Sequence, residues 1–63
     1  MTEKHSALEK HREALREVEM RREVYKRRIQ AGSMNAKDAA RKISIMQEIA
    51  DDYGAMAETE KLI

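Results

Sequence analysis

Histidine, arginine and acidic side chains are the residues of this chain that could do chemistry. His5 and His11 are six residues apart, so on a helix they face different sides and cannot hold one zinc ion together. Cysteine is missing altogether. No nucleophile–base pair, glycine-rich phosphate loop or paired-carboxylate cleft can be recognised. The sequence therefore predicts a protein that is not an enzyme and that has no metal site and no cofactor.

Basic residues are concentrated on both sides of Gly32, where only Glu23 and Asp38 offset them. We call the following eight residues the basic pole: Arg21, Arg22, Lys26, Arg27, Arg28, Lys37, Arg41 and Lys42. Such a cluster favours contact with phosphate groups or with an acidic partner. Four of these residues are predicted to contact the partner, and they should matter for binding but little for folding: Arg21, Arg27, Arg28 and Arg41.

A solvated helix end is the alternative interpretation of the basic pole. Glu17 is placed to pair with Arg21, and Glu23 with Arg27, at i,i+4 spacing. Cations also suit the C-terminus of a helix. The net charge of +1 is far from the strongly basic balance of typical nucleic-acid-binding domains. Both interpretations stay open at this point.

The composition predicts long helices in one small domain, residues 1–63. Charged residues make up 40% of the chain, proline is absent, and Gly32 and Gly54 are the two glycines. Alanine, glutamate, lysine, arginine and methionine are strong helix formers. Disorder competes for so charged a chain, but the apolar residues recur at helical spacing. A domain this small buries little surface, and without disulfides oligomerisation is the stabilising route left open.

The first helix is predicted over about residues 6–31. Its apolar stripe follows alternating spacings of three and four residues: Leu8, His11, Leu15, Val18, Arg22, Tyr25 and Ile29. Ser6 with Glu9 forms a capping-box pattern at its start, and Thr2 is an alternative cap one turn earlier. His11 is predicted to be partly buried on the stripe.

Residues 32–35 are predicted to form the turn. Gly32 can adopt the positive φ that ends a helix, and Asn35 offers the N-cap of the next one. A connection this short favours two neighbouring antiparallel helices. One continuous coiled-coil helix through Gly32 is the alternative. A helix-turn-helix motif for DNA binding is a poor match, because both helices are too long.

The second helix is predicted over about residues 36–60, with this stripe: Ala36, Ala39, Ile43, Met46, Ala50, Tyr53 and Ala57. Pairing the two stripes places Leu15 near Tyr53. Further apolar residues lie beside the stripe and would remain exposed to solvent in a monomer. They form the predicted dimer interface: Ile45, Ile49 and Met56. The predicted fold is all-α, an antiparallel two-helix hairpin that dimerises into a four-helix bundle.

Four methionines at helical spacing are interpreted as core filler, with an adaptable binding surface as the alternative: Met20, Met34, Met46 and Met56. Tyr25 and Tyr53 fall on the predicted seam between the helices. We expect both rings to pack there rather than to stack on bases.

The middle of the chain resembles a group of small helical proteins encoded by bacteriophages and prophages. The likeness rests on residues 19–25, on a Gly-x-Met turn at Gly32, and on an Ile-x-x-Met stripe that ends in Asp-Tyr at Tyr53. It covers about residues 17–53. The resemblance implies a phage or prophage origin and supplies no activity. In architecture only, the chain is also similar to the plasmid-encoded RNA-binding hairpin Rop.

The predicted role is that of an accessory protein, a dimeric helical module for protein interaction. Its expected partners are a second copy of itself and an unidentified host or phage protein. Nucleic-acid binding through the basic pole is one alternative, and assembly into a larger phage structure is another. Apolar runs are short and the first residues lack a signal-peptide pattern, so a membrane partner is not expected and the predicted location is the bacterial cytoplasm.

Overall fold

Two helices fold back on each other. A computed structural model describes residues 5–61 of the chain, with α1 over Ala7–Gln30 and α2 over Ala36–Lys61. The helices pack side by side in a body of 48 × 19 × 17 Å, which confirms the predicted all-α hairpin. Within the described residues, no helix combines the length and the apolar character needed to cross a membrane.

A serine cap begins α1. The Ser6 hydroxyl oxygen accepts a hydrogen bond from the backbone N–H of Glu9 at 3.1 Å, as the capping-box pattern predicts. The second half of that box is replaced, because the Glu9 carboxylate lies 3.2 Å from Nδ1 of His5. The alternative cap, Thr2, lies outside the described residues.

Gly32 ends α1 with a positive φ of 77°. The N–H of Ser33 donates to the carbonyl of Arg28 at 2.9 Å, and the N–H of Gly32 donates to that of Ile29 at 3.0 Å. These two bonds make a Schellman motif, which satisfies carbonyls that the helix end would otherwise leave unpaired. The chain therefore turns here, and the alternative of one continuous helix is wrong.

Asn35 caps α2. Its side-chain oxygen accepts the backbone N–H of Lys37 at 2.7 Å and that of Asp38 at 3.4 Å. Asp38 itself stands in the first turn, where a negative charge is favourable. The turn and both of its helix ends thus follow from the local sequence.

Small residues form the interface between the helices. Its buried members are five alanines and one valine: Ala7, Ala14, Val18, Ala39, Ala50 and Ala57. Four residues of the predicted seam are exposed instead: Leu15, Arg22, Ile29 and Ala36. Ala14 is buried in place of Leu15, which is 39% exposed. Alanine side chains let two helix backbones approach closely, and a leucine at position 14 would hold them apart.

The register of the helices also differs from the predicted one. Pairing Leu15 with Tyr53 would set His11 opposite Ala57. Instead, His11 contacts Gly54 and the carbonyl oxygen of Ala50, three and seven residues before Ala57 in α2. The prediction aligned the larger apolar residues, whereas the residues that the structure buries fully are mainly alanines.

The methionines are divided between the interface and the surface. Met34 and Met46 are half-buried, whereas Met20 and Met56 are 55% and 47% exposed. Met20 and Met56 therefore do not fill the core of the hairpin itself. Tyr25 and Tyr53 are both half-buried, and Nζ of Lys10 lies 5.4 Å from the centre of the Tyr53 ring.

Candidate interaction surfaces

His11 joins the N-terminal part of α1 to α2. Its Nδ1 atom lies 2.6 Å from the carbonyl oxygen of Ala50, so Nδ1 carries the proton and donates it to that oxygen. The ring is half-buried, as predicted, and it lies over Gly54. This bond uses the Nδ1 side of the imidazole, so His11 contributes to the packing between the helices.

Arg21 makes a second link between the helices, nearer the turn. Its Nε donates to the Glu17 carboxylate at 2.9 Å, which confirms that predicted pair, and a terminal nitrogen donates to the carbonyl of Lys42 at 3.0 Å. Arg22, which the sequence placed on the seam, is exposed. Of the four predicted contacts, Arg21 is thus partly engaged in holding the hairpin together.

The other predicted cations of the basic pole project into solvent. Arg27 and Arg28 occupy the last turn of α1, and Arg41 stands in α2 at the same end of the hairpin. All three are exposed, and within residues 5–61 none of them forms an ion pair. The pairing of Glu23 with Arg27 expected from the i,i+4 spacing is not formed.

An open groove of about 440 Å³ runs between the helices beside the turn. Tyr25, Ile29 and Ile43 supply apolar walls, and small alanines of α2 leave the space between them. Arg22 and Lys26 also line it. The groove therefore combines an apolar surface with positive charge and lies at the basic pole.

A row of large apolar side chains follows the outside of α2. We call Ile45, Ile49 and Met56, the residues predicted as a dimer interface, the outer stripe. Ile45 is 45% exposed and Ile49 is 38% exposed. Ile49 and Met56 also line a shallow cleft with Tyr53. The outer stripe thus leaves larger apolar side chains exposed than the alanines that the hairpin buries fully.

Residues 5–61 contain no cluster of three or more histidine, cysteine, aspartate or glutamate side chains arranged to hold a metal ion. The chain matches no family model, no curated protein and no solved structure. Its function is therefore argued from the two surfaces that the fold presents, the basic pole and the outer stripe.

Two structural features escaped the sequence reasoning, namely the contact of His11 with Gly54 and the bond from Arg21 to Lys42. The first left a signal. A glycine inside a helical pattern costs about 1 kcal/mol relative to alanine, and its presence there points to a close neighbour. The bond from Arg21 to Lys42 depends on the helix register, which could not be predicted from the positions of the large apolar residues.

Proposed function

We propose that this chain is a helical interaction module that pairs with a second copy of itself through the outer stripe. The observation that supports this is that small side chains are buried between the helices while large apolar ones are exposed. The intrachain interface buries mainly alanines, whereas Ile45, Ile49 and Met56 stay at the surface. Full burial of a large apolar side chain gains about 1.5–3 kcal/mol. The three residues are 38–47% exposed, so covering the stripe gains a part of that for each and stabilises the folded chain.

The exposed area is consistent with a missing partner. The chain exposes 5279 Å². A compact monomer of 7.3 kDa exposes roughly 4,200 Å², so the excess is about 1,000 Å². A standard stable interface covers about 800 Å² on each partner. One interface of standard size along this elongated hairpin would cover most of the excess.

Sedimentation equilibrium tests the self-association directly. We expect a mass of twice 7.3 kDa at micromolar concentration, with a shift toward the single-chain mass on dilution. A single-chain mass across the whole concentration range would show that the outer stripe does not bind a second copy.

The basic pole supports a second function, the capture of an acidic partner. Arg27, Arg28 and Arg41 are exposed and form no ion pairs within the described residues, so their charges are available to another molecule. The groove beside them adds apolar contact. We propose an acidic protein as the partner. This matches the modest net charge of +1, since sequence-independent binding to nucleic acid relies on many phosphate contacts.

Salt dependence separates these two classes of partner. Fluorescence anisotropy with labelled single- and double-stranded oligonucleotides gives the affinity at several salt concentrations. Binding that persists at physiological salt, with a steep linear decrease of log K against log salt concentration, would identify nucleic acid as the partner. We expect weak binding that physiological salt removes.

The biological setting follows from the resemblance to phage proteins. In this proposal the chain is an accessory protein in the cytoplasm of a bacterial host and acts by binding, without catalysis. The acidic partner is then a host or phage protein. A role as a component of a larger phage assembly uses the same two surfaces, and co-purification with phage particles would distinguish it.

A further inference from the structure

Charged residues continue the outer stripe toward both ends of α2. Lys42 stands three residues before Ile45, and Glu60 stands four residues after Met56. These spacings keep both residues on the same side of the helix as the stripe. Both are exposed. The surface that we propose to bind a second copy is thus apolar in the middle, basic toward the turn and acidic toward the chain ends.

The same polarity holds for α2 as a whole. Residues 36–47 contain three basic residues and one acidic residue, whereas residues 48–61 contain five acidic residues and one basic residue. The last turn of α1 adds Arg27 and Arg28 to the basic end. The hairpin therefore carries opposite charges at the two ends of its 48 Å length.

We propose that the second copy docks antiparallel, with the turn of one hairpin beside the chain ends of the other. This rests on the proposed self-association and adds its geometry. In a parallel pair each residue faces its own copy, so that Lys42 meets Lys42 and Glu60 meets Glu60. In the antiparallel pair the opposite charges meet. Complementary charges of this kind fix the orientation of a complex more than its strength.

The stripe also sets the register of the antiparallel pair. Aligning Ile45 with Met56 of the second copy places the twofold axis between residues 50 and 51. Lys42 then lies opposite residue 59 of the second copy, one residue from Glu60, and the two Ile49 side chains lie on either side of the axis. Each apolar residue of the stripe then contacts an apolar residue of the second copy. Because the axis is twofold, the pairing of Lys42 with Glu60 occurs twice in the dimer.

Spin labels can measure the orientation, because the chain has no cysteine of its own. Ala31→Cys places one label at the exposed end of α1 beside the turn. With a rise of 1.5 Å per residue, the two labels of an antiparallel dimer are about 50 Å apart, against roughly 20 Å in a parallel dimer. Double electron–electron resonance distinguishes these distances.

Ala55→Cys is the matched control. This residue is exposed and lies near the proposed axis, so the two labels are roughly 20–25 Å apart in either orientation. A short distance for Ala55→Cys combined with a long distance for Ala31→Cys is the expected result. Short distances for both variants would overturn the antiparallel geometry and leave the dimer in place.

Charge exchange gives an independent readout. Lys42→Glu alone and Glu60→Lys alone each create two like-charge contacts in the antiparallel dimer, so we expect each to raise the dimer Kd about two- to tenfold at low salt. The double variant restores the opposite charges and should return within about twofold of the wild type. A double variant no tighter than either single variant would contradict the pairing. A single-chain mass for the wild type would remove the proposed function and this inference together.

Discussion

Cε1 of His11 lies 2.9 Å from the point that a Cβ atom on Gly54 would occupy. Nδ1 of the same ring would be 3.1 Å from that Cβ, and it also holds the carbonyl of Ala50. Glycine thus leaves the space in which the imidazole reaches the opposite backbone. The carbonyl oxygen has a second lone pair, so it can accept this bond in addition to one within α2.

This contact predicts that Gly54→Ala stabilises the chain less in the wild type than in a background without the His11 ring. In the wild type, the gain in helix propensity is offset because the ring must move and weaken its bond. In a His11→Ala background, the same change should raise the free energy of unfolding by about 1 kcal/mol. Urea titrations of the four proteins at equal concentration measure the difference. Equal effects in both backgrounds would show that the ring does not depend on the glycine.

The cost of a substitution at Gly32 should be set by its positive φ and not by the room available for a side chain. Nothing lies within 4 Å of a Cβ built there, but φ is 77°. Gly32→Val should therefore lower the free energy of unfolding by about 1–2 kcal/mol, because β-branched residues adopt this region poorly. Gly32→Asn is the control and should cost less, since asparagine visits the left-handed region more readily. Equal melting of both variants would contradict the assigned turn.

Ala50 has no exposed surface, so its methyl group fills the available gap between the helices. Ala50→Leu should cost about 1–3 kcal/mol through overpacking. Ala55→Leu, at an exposed position of the same helix, should stay within about 0.5 kcal/mol of the wild type. Thermal melts followed by circular dichroism measure both. A neutral Ala50→Leu would mean that the helices can separate at this level without loss.

The arginines of the basic pole should divide into two groups. Arg21→Gln should lower the free energy of unfolding by about 1 kcal/mol, because it removes the bond to the Lys42 carbonyl. A triple variant with glutamine at Arg27, Arg28 and Arg41 should stay within about 0.5 kcal/mol of the wild type. If the pole binds an acidic partner, the triple variant loses that binding and keeps its helicity. If the triple variant still captured every partner of the wild type, the basic pole would be a solvated helix end and not a binding surface.

The outer stripe should control association more than folding. Ile49→Glu places a charge in the proposed interface, so we expect the dimer Kd to rise by at least tenfold, as measured by sedimentation. Ser44→Glu introduces the same charge at an exposed position of α2 away from the stripe, and its mass should match that of the wild type. A dimer that tolerates Ile49→Glu as well as Ser44→Glu would place the interface elsewhere.

The sequence predicted the local structure well and the alignment of the helices less well. Ser6, Gly32 and Asn35 act through their own backbone neighbours, so their patterns identify the helix ends. The helix alignment depends on which apolar residues meet. A search for large side chains selected Leu15, whereas close backbone approach favours Ala14, one position earlier.

The surfaces could be predicted in part for the same reason. Exposed charges near the turn and surplus apolar residues on α2 follow from spacing alone. The bonds that tie Arg21 and His11 to the opposite helix depend on the alignment and were not foreseen.

Two hydrogen bonds between the helices end on main-chain oxygens, those of Ala50 and Lys42. Their donors, His11 and Arg21, are ten residues apart, about 15 Å along α1. An alanine interface has shallow ridges that resist sliding weakly, so these two bonds fix the axial position of one helix against the other. Since a backbone oxygen is present whatever the side chain, residue 42 can change without loss of this alignment. The outer side of α2 is therefore open to redesign for new partners while the hairpin keeps its geometry.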